Sequence, residues 1–255
     1  MRDMLLIVRP EYRRLLRSAL ASILLPALLV VPIALLGMSR LELSPLFLGK
    51  ALLILCGGAL LMLRGLPEHH PFGAIGLANQ ATIARGVLVA MLAALIGERS
   101  NTPIQSIALA VAVIAAILDA VDGLLARRTK MASRFGARFD METDALFILV
   151  LAALAWQFDK AGAWVLGSGL LRYGFVAAGL ALPWLRAPLA ASFRRKAVAV
   201  LQVVALLFAI APFVSPAASA PIAAAAMVAL TLSFVADIAR LKRQASRAEA
   251  SASGC

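Results

Sequence analysis

IQSIALAVAVIAAILDAVDGLLAR, residues 104–127, is an apolar run long enough to cross a bilayer that closes on two aspartates, a glycine and an arginine. Ionised carboxylates at the edge of hydrocarbon are costly and by default mark a functional site. On a helix continuing from Pro103 to Arg127, Asp119 and Asp122 lie three apart and share a face with Gly123 and Ala126. After an eight-residue spacer, Gly136, Asp140 and Asp144 follow at intervals of four, again on one helical stripe. Two such stripes facing each other make a four-carboxylate box, whose charge two divalent cations would neutralise. No Cys or His belongs to the cluster, so the donor set favours Mg²⁺, Mn²⁺ or Ca²⁺ over zinc.

Small residues beside the acids allow a ligand's phosphates to approach the backbone, and Arg127 at the end of the stripe can reach a phosphate. Paired hard cations next to an arginine suit phosphoryl transfer, with one carboxylate available as general base for a hydroxyl.

The 255 residues are 62% hydrophobic and only 15% charged, which excludes an ordinary soluble domain. Apolar runs at residues 18–37, 51–64, 81–97, 104–126, 141–158, 164–183, 197–214 and 219–239 predict an all-α polytopic integral membrane protein of about eight transmembrane helices. The net charge of +12 would suit nucleic acid, but the placement of the basic residues points to a membrane surface instead. With eight spans, the N-terminal arginines, the cluster from Arg127 to Arg138, the run Arg194, Arg195 and Lys196, and Arg240 to Arg247 all fall on one face. Arg40, Lys50, Arg99 and Lys160 are left on the other, so both termini and the acidic motif are expected in the cytoplasm. Anionic lipid headgroups, and no nucleic acid, are the partners this rim implies. Cys56 and Cys255 form no metal or disulfide pattern, and residues 1–17 are expected to be a retained basic segment.

The motif residues Asp119, Asp122, Gly123, Ala126, Arg127, Gly136, Asp140 and Asp144 resemble the signature of the CDP-alcohol phosphotransferase family, D-x2-D-G-x2-A-R-x8-G-x3-D-x3-D, at every fixed position. Upstream, Asn79, Thr82 and Arg85 resemble the N-x2-T-x2-R of that family's first core helix. The resemblance implies a six-helix catalytic core, residues 65–240, preceded by a basic segment (1–17) and two accessory helices (18–64), and followed by a tail (241–255). It further implies transfer of a phosphatidyl group from a donor such as CDP-diacylglycerol to a small alcohol, with release of CMP, in phospholipid synthesis; a bacterial-type inner membrane is expected because the sequence shows no organellar or retention signal. Asp119, Asp122, Asp140 and Asp144 would hold two Mg²⁺ or Mn²⁺ ions, and Asp144 would also act as the catalytic base. Asn79, Thr82, Arg85, Gly123, Ala126, Arg127 and Gly136 would line the CDP pocket, and a homodimer is expected. Residues 192–202 match the Lys-rich, Gln-terminated segment of glycerol-phosphate-using members only in part, with Val198 where a second lysine is expected. The acceptor is therefore open among glycerol 3-phosphate, an inositol phosphate, serine and other headgroup alcohols.

Arg172, deep in the sixth span, reads either as a ligand for an acceptor or donor phosphate or as a partner for a motif aspartate. Lys196, with Arg194 and Arg195, reads as an acceptor-phosphate site or as lipid-facing charge. His69 and His70 read as loop residues, Asp237 as a helix-end group or a partner for Arg240, and Trp156, Trp164 and Trp184 as interfacial anchors. Competing readings of the acidic cluster are ion pairs with Arg127, Arg134 or Arg138, a divalent-cation transporter or channel, and a silent scaffold.

Overall fold

The computed structural model describes residues 10–69, 76–129, 134–187, 189 and 192–253. Its α-helices are α1 (Pro10–Leu41), α2 (Leu46–His69), α3 (Leu77–Ala94), α4 (Thr102–Thr129), α5 (Arg134–Gln157), α6 (Gly167–Ala181), α7 (Phe193–Ile210) and α8 (Pro216–Ser253). Short 3₁₀ turns, Ala163–Leu166 and Pro183–Arg186, lead into α6 and follow it, and there is no strand among the described residues. Each helix overlaps one of the apolar runs read from the sequence, with ends that differ, and the molecule is an all-α polytopic membrane protein.

Among the described residues, five stretches are long and apolar enough to cross a membrane: Leu46–Leu63, Leu77–Ala94, Thr102–Val121, Ala163–Ala181 and Pro216–Arg247. A shorter apolar stretch, Val30–Leu41, lies in α1. The second and third turns of α5 carry Arg138, Asp140, Glu142 and Asp144, and the first turn of α7 carries Arg194, Arg195 and Lys196, which interrupt their apolar character.

Two compact units divide inside α5: residues 1–147 and residues 148–255. In the first, α1 and α2 form a hairpin that packs on α3, and α3 packs along α4. Near one end of this unit, Ala19, Met62, Ile83 and Phe135 make a buried cluster to which Ile23, Leu63 and Phe139 add. The rings of Phe135 and Phe139 stack with centroids 5.9 Å apart.

At the opposite end the hairpin is fastened by ions. Lys50 Nζ donates to Glu98 Oε1 at 2.7 Å and to the Ile96 carbonyl at 2.9 Å. Ser44 donates to the same carboxylate through its N–H (2.8 Å) and its hydroxyl (2.7 Å). Burial by itself would raise the Glu98 carboxyl, but the Lys50 ammonium and the two Ser44 donors outweigh it and hold the group below its ordinary range. The turn that presents Glu98 needs glycine at position 97, where φ is +86°.

In the second unit α7 packs along α8, and α8 also touches α6. Gly169 allows α6 to approach α5 closely, because a Cβ there would lie 2.5 Å from Leu149 Cα. Phe175 and Phe234 meet edge to face at 5.8 Å, tying α6 to α8. Arg186 Nε donates to the Gly179 carbonyl at 2.6 Å, satisfying one of the free carbonyls that end α6.

Candidate metal and nucleotide site

On α3, Asn79, Thr82 and Arg85 follow one another at intervals of three and are all buried, Arg85 completely. A helical side chain leans toward its own N-terminus, so Arg85 reaches back along α3 toward the acidic ends of α4 and α5. Its Nη1 pairs with Asp119. Its Nη2 lies 2.8 Å from Asp140 Oδ1 and 2.9 Å from Asp144 Oδ1. The fixed fork of the guanidinium serves three carboxylates at once, which a lysine's point charge would do less well.

One oxygen from each of Asp119, Asp140 and Asp144 lies within 4.8 Å of the others. Their side chains are 45%, 41% and 48% exposed, whereas that of Arg85 is 0% exposed. The arginine therefore braces the acids from the protein side and leaves their other oxygens accessible. One guanidinium offsets one of three carboxylate charges, so the trio retains negative charge that a hard divalent cation would balance. An all-oxygen donor set of this spacing and exposure fits Mg²⁺ or Mn²⁺.

Three of the four expected metal ligands are thus brought together, from two helices. Gly136 stands one turn before Asp140 on α5, and Gly123 follows on the motif segment of α4. The side chains of Asp122, Ala126 and Arg127 lie outside the described residues, as do those of His69 and Arg134, and so does His70. Arg85, expected from the sequence to line the nucleotide pocket, pairs with Asp119, Asp140 and Asp144. A basic residue buried in an otherwise apolar helix was the available signal.

Arg172 and Lys196 both belong to the second unit. Arg172 is partly buried on α6, and Lys196 is exposed in the first turn of α7. Asp237 pairs with the α7 arginines rather than with Arg240: Arg194 Nη2 is 2.5 Å and Arg195 Nη1 3.5 Å from its Oδ1. Arg194 Nη1 also donates to the Ser233 carbonyl at 2.8 Å. This carboxylate faces α7 because α7 and α8 pack along each other, a relation that sequence spacing within α8 cannot reveal. Gln202 is wholly buried, and its amide makes no hydrogen bond among the described residues, so it is a polar group that water or a ligand would satisfy.

Residues 75–236 match the family model of CDP-alcohol phosphatidyltransferase. The chain belongs to this family. No curated protein and no solved structure matches it significantly. The matched region starts just before α3 and ends within α8, which leaves α1 and α2 outside it. CDP-alcohol phosphatidyltransferases transfer a phosphoryl group from a CDP-alcohol to an acceptor alcohol and depend on a divalent metal, and the three-aspartate cluster of this member lies inside the matched residues.

Proposed function

We infer that the protein transfers a phosphatidyl group from CDP-diacylglycerol to a small alcohol, releasing CMP, in phospholipid synthesis. The observation that carries this reading is the gathering of Asp119, Asp140 and Asp144 within 4.8 Å, braced by Arg85. Asp119, Asp122, Asp140 and Asp144 would hold Mg²⁺ or Mn²⁺, two ions if all four acids take part. When bound, the metal offsets negative charge on the phosphoryl oxygens and the departing CMP.

The chain's own residues do the rest. Asp144 accepts the proton of the acceptor hydroxyl on a carboxylate oxygen. Gly123, Ala126 and Gly136 leave room for the diphosphate beside the backbone, and Arg127 pairs with it. Asn79 and Thr82 complete the nucleotide pocket, and Arg172 and Lys196 bind the acceptor.

The active site faces the cytoplasm of a bacterial-type inner membrane, and the six-helix core (65–240) works as a homodimer with two accessory helices on each copy. Charge placement supports that orientation. Asp119 lies 17 residues along α4 from Thr102, about 26 Å from the end where Glu98 and Arg99 sit.

Purified protein incubated with CDP-diacylglycerol, Mg²⁺ and a panel of alcohols should release CMP and form one new lipid. Ion flux without CMP release would favour a transporter, and neither activity would favour a scaffold.

A further inference from the structure

At the end of the first unit away from the aspartates stand five charged residues: Arg40, Glu42, Lys50, Glu98 and Arg99. Lys50 pairs with Glu98, and Arg99 Nη1 lies 3.2 Å from Glu42 Oε2. Three cations meet two carboxylates, and Arg40 is the cation left over. Its guanidinium is exposed and makes no ion pair or hydrogen bond among the described residues. Of the four basic residues that charge placement leaves on the far face, the other three, Lys50, Arg99 and Lys160, each have a protein partner.

Arg40 stands instead at an apolar pocket of about 270 Å³. Ile33 and Gly37 of α1, Phe47 of α2, Met91 of α3 and Val111 of α4 contribute to its walls, and Arg40 is the charged residue of the lining. At roughly 30 Å³ for a group the size of a water molecule, that volume takes about nine methylene-sized groups, or about half of a long acyl chain. Chain register carries the pocket along the helices from the charged end. Ile33 lies seven residues before Arg40, about 10 Å along α1, and Val111 lies nine residues beyond Thr102, about 14 Å along α4. One leaflet of a hydrocarbon core about 30 Å thick has that depth. Val111 is still eight residues, about 12 Å, short of Asp119, and the pocket shares no residue with the carboxylate cluster.

We propose that this pocket binds an anionic phospholipid of the leaflet opposite the acids, with its phosphate on Arg40 and part of one acyl chain between α1, α2, α3 and α4. A guanidinium can fork onto a phosphate through two parallel hydrogen bonds, and an apolar slot with one polar anchor suits an amphiphile. Charge selects the headgroup. A zwitterionic lipid balances its phosphate within its own headgroup, whereas an anionic one brings the charge that the unpaired Arg40 calls for. Helices α1 and α2 lie outside residues 75–236 and α3 and α4 inside, so the lipid joins the accessory hairpin to the family core. Nothing in this site depends on which donor or acceptor the enzyme uses.

The test is native mass spectrometry of full-length, delipidated protein titrated with dioleoylphosphatidylglycerol or dioleoylphosphatidylcholine, which share their acyl chains. Basic residues elsewhere take up anionic lipid in every variant, so the readout is the difference between variants in the number of lipids retained. Wild type is expected to retain one phosphatidylglycerol more than Arg40→Gln, with equal phosphatidylcholine counts. Arg99→Gln removes the same charge from the same end but lines no part of the pocket, and should match wild type. A Cβ on Gly37 would meet Leu43 Cδ1 at an ordinary 3.7 Å, so Gly37→Leu is expected to fold, to fill the slot and to lose the same lipid. If it does not fold, Arg40→Gln, at an exposed position, decides the matter with Arg99→Gln. Equal counts for wild type and Arg40→Gln, or full retention by folded Gly37→Leu, overturn the pocket. The same loss in Arg99→Gln overturns it in favour of diffuse attraction, and a loss shared by phosphatidylcholine overturns the anionic headgroup.

Discussion

Arg85 Nη2 stands 2.9 Å from Asp144 Oδ1, so the carboxylate assigned as base on α5 is held by a fully buried cation on α3. The same guanidinium holds Asp119 and Asp140. Positioning of the acids and integrity of the α3, α4 and α5 cluster are therefore one problem, and variants separate them.

Asp144→Asn keeps the shape of the side chain and an acceptor oxygen for Arg85 but removes the proton acceptor. CMP release is expected to fall by about a hundredfold to ten-thousandfold, with an unchanged elution profile on size exclusion. Turnover within a few-fold of wild type would remove Asp144 from the role of base.

Arg85→Met removes the guanidinium that braces three carboxylates lying within 4.8 Å of one another. Because the acids are nearly half exposed, solvent screens much of their repulsion, and a loss of about 1–3 kcal/mol is expected in chelator. Mg²⁺ should raise the variant's Tm more than that of wild type, since the ion replaces a missing charge and binding to the folded state stabilises it. Equal Mg²⁺ shifts in thermal melts would contradict a shared cation site.

Glu98→Gln should loosen the hairpin and flatten the acid limb of the stability profile. The carboxyl of Glu98 sits below its ordinary value of 4.5, so its contribution is present above that pH and is lost as pH falls through the lower folded value. Melting temperatures followed from neutral pH downward should therefore drop more steeply for wild type than for the variant. Lys50→Met, which leaves a buried carboxylate without its ammonium, should be destabilised at neutral pH.

Gly169→Ala places a methyl group 2.5 Å from Leu149 Cα, against backbone that cannot step aside. A destabilisation of about 1–3 kcal/mol is expected, read as a lower Tm with the metal-dependent shift preserved. A variant as stable as wild type would show that α5 and α6 are free to separate there.

What the sequence determined by itself is local. Apolar runs specified the eight α-helices among the described residues, five of them with stretches long enough to cross a membrane, because hydrogen bonding within a helix is the only way one segment can satisfy its backbone in hydrocarbon. The spacing of Asp119 with Gly123, and of Gly136, Asp140 and Asp144, placed acids and small residues on single helical faces, because helical periodicity is a property of the segment itself. The tertiary structure decided which faces meet. Arg85 finds Asp119 and Asp140 across 34 and 55 residues, Asp237 finds Arg194 across 43, and Gly58 of the accessory hairpin comes to line a groove with Gly86 and Phe139. Such pairings depend on how side-chain surfaces of separate helices pack against each other, and no periodicity within one helix encodes them.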